Sequence, residues 1–158
     1  MLPMLDRAHE RGIRMYVNVA GLIRDDFIVI GEEEYERRVG EICAVIGDHP
    51  ALEGFFVGDE PRTYEEIRAG EGCLRIMKKV APHLRPYLNI TGNSPMLSNE
   101  VFGGKSFPRW LQDITSEIND AHFTFSQYDQ MTDDNGITAY FDSIKRGLPM
   151  TRKFTFFA

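Results

Sequence analysis

Apolar residues along this chain switch between helical and strand-like spacing in a regular rhythm. Leu2, Leu5 and Ala8 share one face of a helix that Gly12 ends. Residues 13–20, IRMYVNVA, read as a strand closed by Gly21. A loop over 22–31 leads to a second helix beginning near Glu32. Its stripe of Tyr35, Val39, Ile42, Cys43 and Ile46 is amphipathic, and Glu32, Glu33 and Glu34 sit where the helix dipole favours them. The apolar run 52–57 follows the turn signal Asp48-His49-Pro50, in which His49 serves the turn, and stops at Asp59, Glu60 and Pro61. A short apolar run between breakers reads as a strand buried on both faces.

Thr63 and Glu66 then form a capping box for a helix that turns Ile67, Leu74, Met77 and Val80 or Ala81 inward before Pro82. Gly70 and Gly72 weaken its middle by roughly 1 kcal/mol each, so a break is expected there. Residues 86–90, PYLNI, make a third strand, and 91–105 a turn-rich loop. Ser106 caps a helix with Phe107, Leu111, Ile114 and Ile118 on its inner face and Trp110 packing just off that stripe. A fourth strand is expected over 122–127 and a loop over 133–136. A helix carrying Ile137, Tyr140, Phe141, Ile144 and Leu148 follows, then a fifth strand over 152–157.

Strict alternation of helices and strands predicts an α/β fold with a parallel sheet. One unit per ~30 residues is the rhythm of a (β/α)8 barrel, whose eight units need about 250 residues. The 158 residues here supply about five strands and five helices. The expectation is therefore one domain, residues 1–158, forming a partial barrel; an open doubly wound sheet is the alternative.

Composition narrows the partners. With 42% hydrophobic and 27% charged residues the chain has an ordinary globular balance. A net charge of −6 argues against nucleic acid or an anionic membrane as the partner. No apolar run approaches the ~20 residues of a membrane-spanning helix, and the amino terminus lacks a signal-peptide layout, which leaves localisation open. Cys43 and Cys73 read as buried reduced thiols. His9, His49, His83 and His122 show no metal-ligand spacing, and no GxGxxG, phosphate-loop or GxSxG motif follows a strand. Neither metal nor cofactor is expected.

The chemistry collects at strand ends. Asn18 lies near the end of the first strand, Asp59 and Glu60 at the second, Asn89 at the third with Asn93 beyond it, and Tyr128 and Asp129 at the fourth. In a parallel sheet these ends share one rim. Carboxylates, carboxamides and a tyrosine suit a hydroxyl-rich ligand. A Glu there can act as general acid to a glycosidic oxygen. Adjacent strand residues point to opposite faces, so Asp59 and Glu60 need not share a pocket.

The segment HPALEGFFVGDEP resembles the fourth-strand motif of (β/α)8 glycoside hydrolases and their bacterial relatives. PYLNITGNSP, FTFSQYDQM and RGLPMTRKFTFFA are similar, in order, to the fifth-, sixth- and seventh-strand patterns of the same group. The likeness implies a partial barrel from third to seventh strand, a carbohydrate substrate, and Glu60 as catalytic acid/base. Asn18, Asp59, Asn89, Tyr128 and Asp129 would bind the sugar. Better-studied retaining members end the fourth strand in Asn-Glu, where this chain has Asp59-Glu60, and no Glu matches their later second carboxylate. A glycosidase whose activity needs the full-length parent is one expectation; a degenerate barrel that binds carbohydrate without cleaving it is the other. A self-contained open α/β domain with an unrelated small ligand is a third.

Overall fold

A computed structural model of the chain describes residues 1–91, 97–118 and 121–125. The described strands are β1 (Met15–Val17), β2 (Leu52–Asp59), β3 (Tyr87–Ile90) and β4 (His122–Phe125). They run parallel in the order β1-β2-β3-β4, with no reversal along the sheet. Among the described residues five α-helices accompany them: α1 (Leu2–Glu10), α2 (Arg24–Ile30), α3 (Glu32–Ile46), α4 (Tyr64–Val80) and α5 (Phe107–Glu117). The expected helix near 137–148 and strand over 152–157 lie outside the described residues.

Two local expectations are corrected, for 22–31 and for the middle of α4. The stretch 22–31 is not all loop, because it contains α2. Asp26, in the first turn, accepts hydrogen bonds from the Gly21 and Ile23 amides at 3.0 and 3.1 Å. It thereby satisfies amide groups ahead of the helix without a Ser or Thr at the N-cap. Within 91–105, Asn99–Phe102 forms a 3-10 turn opened by Ser98, whose hydroxyl accepts from the Glu100 amide. Helix α4 runs unbroken through Gly70 and Gly72. Both glycines meet neighbours: a Cβ on Gly72 would lie 2.7 Å from the Phe27 ring, and one on Gly70 would lie 3.5 Å from Leu88. Tertiary packing there outweighs helix propensity.

The first strand is also shorter than expected, three residues rather than eight, and Ile13 is exposed. The Thr63–Glu66 capping box forms: Glu66 N–H donates to the Thr63 hydroxyl, and the Glu66 carboxylate accepts from the Arg62 and Thr63 amides. Ser106 occupies its N-cap position without a side-chain capping bond. His49 Nδ1 accepts from the Ala51 amide, so its Nε2 carries the proton toward Asp6.

One face of the sheet packs on the helices through Leu52, Phe55, Val57, Leu88, Ile90 and Phe123, all buried. Tyr35 of α3 donates its hydroxyl to the Leu22 carbonyl at 2.7 Å in this core. Glu71 of α4, also buried, accepts from the Trp110 indole of α5 at 2.7 Å and pairs with Arg68 and Arg75. Trp110 is therefore held in the helix layer, away from the strand ends. No helix among the described residues is long and apolar enough to cross a membrane.

The other face bends inward. Strands lie about 4.8 Å apart, so β1 and β4 would be about 14 Å apart in a flat sheet. Yet the rings of Tyr16 on β1 and His122 on β4 have centroids 5.0 Å apart, and the Tyr16 hydroxyl is 2.7 Å from His122 Nδ1. Tyr16 and Tyr87 likewise meet across the intervening β2, at 5.2 Å. Only a strongly curved sheet brings side chains from its first and last described strands into contact over its middle.

Candidate functional site

Two rungs of side chains cross the concave face. Register pairs Phe56 with Tyr87 and Tyr87 with His122; nearer the strand ends it pairs Asp59 with Asn89 and Asn89 with Thr124. Leu88 and Phe123, between these rungs, belong to the helix-covered core. The lower rung is aromatic, with Phe56–Tyr87 and Tyr87–His122 centroids at 5.3 and 5.4 Å. Beneath it, Glu53 pairs with Arg14 at 2.8 Å and with Arg85 at 3.0 Å. Burial lowers the pKa of His122, Arg85 reinforces the shift and Glu53 opposes it, so the ring stays neutral at neutral pH.

The upper rung is polar and bonded throughout. Asn89 Nδ2 donates to Asp59 Oδ1 at 2.6 Å, and the Thr124 hydroxyl donates to Asn89 Oδ1 at 2.7 Å. The Tyr87 hydroxyl lies 2.8 Å from Thr124 Oγ1 and ties the upper rung to the lower. Strict alternation from Phe56 would put Gly58, not Asp59, on this face. A register irregularity between Phe56 and Gly58 shifts the phase by one residue and sets Asp59 opposite Asn89.

Glu60 follows in an unusual backbone state, with φ 41°, the single non-glycine positive φ among the described residues. A left-handed Glu before proline is strained by about 1–3 kcal/mol and persists where neighbours over-determine it. Two do so here. The Glu60 amide donates to the Asn89 carbonyl at 2.9 Å, and Arg24 Nη1 donates to the Asp59 carbonyl at 3.0 Å. Arg24 is buried behind the strand end, bonded to Asp25 and 3.5 Å from Glu66. The Glu60 side chain is only 10% exposed, and its Oε2 accepts from Arg62 at 2.7 Å.

Of the residues expected at the rim, Asp59 and Asn89 are in direct contact, and Glu60 joins them through its amide. Asn18 is exposed one residue beyond β1 and takes no part in this chain of bonds. Tyr128, Asp129 and Asn93 lie outside the described residues. Sequence reasoning missed Tyr16, Tyr87, His122 and Thr124, together with Arg24 and Arg62. The i, i+2 spacing of Tyr87 with Asn89, and of His122 with Thr124, was the available signal.

Among the described residues no group of three His, Cys, Asp or Glu side chains could hold a metal. A separate groove of about 640 Å³ lies on the helical side, between Phe27 and Ile28 of α2 and Tyr64, Arg68 and Arg75 of α4. It contains none of the strand-end residues, and its arginines are engaged by Glu71 and Glu117. We therefore place the candidate site on the concave face. Comparison with protein-family models, curated proteins and solved structures found no match to this chain.

Proposed function

We propose that the chain is part of a (β/α)8-type catalytic barrel acting on carbohydrate, with Glu60 as general acid/base for hydrolysis of an O-glycosidic bond. The observation that carries this reading is the Asp59–Asn89–Thr124 rung lying beside Glu60 at the carboxyl ends of parallel strands. Such a rim offers fixed donors and acceptors to ligand hydroxyls, backed by an aromatic layer. The sequential strand order and the Tyr16–His122 contact across the concave face support the barrel. A doubly wound sheet would reverse its order at a switch point.

The second reading, a barrel that binds carbohydrate without cleaving it, is favoured by one observation: Glu60 is paired with Arg62. A carboxylate held in an ion pair is poised as an acceptor, and the acid half of the role requires Arg62 to leave. The Arg62 side chain is 61% exposed and free of core packing that would prevent this.

Calorimetric titration with cellotetraose, xylotetraose and maltotetraose, paired with chromatographic product analysis, tests both readings. Binding with hydrolysis by a protein carrying the further βα units supports the first. Binding by that protein without cleavage supports the second. No binding of any oligosaccharide contradicts both.

A further inference from the structure

The hydrogen-bond chain on the concave face has a direction, set by proton counting. Asp59 as a carboxylate only accepts, so Asn89 must present its NH₂ to Asp59 Oδ1 and its carbonyl to Thr124. Thr124 has one hydroxyl proton, which goes to Asn89 Oδ1. The 2.8 Å contact with Tyr87 then requires Tyr87 to donate to Thr124 Oγ1. The chain therefore runs Tyr87 to Thr124 to Asn89 to Asp59, every donor pointing toward the carboxylate. A flipped Asn89 amide would set its carbonyl oxygen against the Asp59 carboxylate, two acceptors facing each other.

We propose that Tyr87 and Thr124 are positioning residues that lock the Asn89 amide, and through it hold the Asp59 carboxylate as a fixed acceptor for a ligand hydroxyl. The use of that acceptor by a hydroxyl rests on the carbohydrate reading; the lock itself does not. Three observations converge on it. Thr124 is 4% exposed, so water does not readily replace the Thr–Asn bond. Tyr87 is wedged among Tyr16, Phe56 and His122, which fixes its hydroxyl. Asp59 itself is exposed at the strand end, and its Oδ1 takes the Asn89 donor. The rigid half of the device lies inside the sheet and the ligand-facing half at its mouth.

Hydrogen exchange of the Asn89 side-chain Nδ2 protons, read by NMR on the ¹⁵N-labelled chain, tests the lock without any ligand. Thr124→Val is expected to speed that exchange about tenfold, the effect of losing one buried hydrogen bond. Thr124→Ser, which keeps the hydroxyl, is expected to restore it, and Tyr87→Phe to fall between. Equal exchange in wild type, T124V and T124S would overturn the proposal. Should T124V fail to fold, unchanged exchange in Y87F would overturn it equally.

Titration of the same variants with cellotetraose and maltotetraose adds the functional arm. About tenfold weaker binding in T124V, recovered in T124S, supports the role of the lock in ligand capture. Undiminished affinity in T124V would remove that role. A wild-type chain that binds neither sugar, yet shows the exchange difference, keeps the lock and defeats the carbohydrate reading.

Discussion

Gly54→Ala is expected to destabilise the fold by about 3 kcal/mol or more, since overpacking against a backbone that cannot rotate away lies at the severe end of core substitutions. A Cβ on Gly54 would sit 1.7 Å from the Arg85 carbonyl oxygen and 2.6 Å from its carbon. The clash cannot be relieved by a rotamer change, because both atoms are main chain. Arg85 donates its amide to the Glu53 carbonyl, so retreat of that segment would unpair the start of β3 from β2. The concave face would go with it, as Tyr87 and Asn89 follow directly on β3. Gly40→Ala in α3, where nothing lies within 4 Å of the new Cβ, is the control and should gain about 0.5–1 kcal/mol. Urea denaturation of both variants checks the contrast. Equal midpoints for wild type and G54A would mean that β2 and β3 do not approach as described.

In the protein carrying the further βα units, Glu60→Gln is expected to lower the rate of oligosaccharide hydrolysis by about 10²–10⁴-fold, the usual contribution of a positioned general acid or base. Glutamine preserves the shape of the side chain but cannot donate or accept the proton at the glycosidic oxygen. Because the binding rung runs through Asp59, Asn89 and Thr124, oligosaccharide affinity should change only slightly. A kcat loss with little change in binding separates the catalytic role from a binding one. Unchanged turnover in E60Q would remove Glu60 from the chemistry and leave the rim as a binding surface.

Much of the fold was legible because apolar spacing is a direct record of which face is buried. The stripe of Tyr35, Val39 and Ile46 and the run ending at Asp59 fall in α3 and β2 as the pattern predicts. What failed to show was anything decided by contact rather than by period. Helix α2 escaped notice because it is seven residues long and is held by Asp26 and by packing of Phe27 on Tyr35. The continuity of α4 was hidden because its glycines read as weak points, whereas in the structure they admit Phe27 and Leu88.

The site divided in the same way. Asp59 and Asn89 were readable as polar residues ending apolar runs. Their contact was not, since a two-residue period places Gly58 where the register irregularity puts Asp59. Arg24 was invisible for a similar reason. It reaches the Asp59 carbonyl from 35 positions earlier in the chain, a pairing that only the packed helix layer creates.

The most direct test is ¹H–¹⁵N chemical-shift mapping of the labelled chain during titration with cellotetraose and maltotetraose. The account predicts that the largest shifts fall on Asp59, Glu60, Asn89 and Thr124, the residues that the parallel register sets side by side at the ends of three neighbouring strands. Shifts confined to Phe27, Tyr64 and Arg68 in the helical groove, or none at saturating sugar, would contradict it.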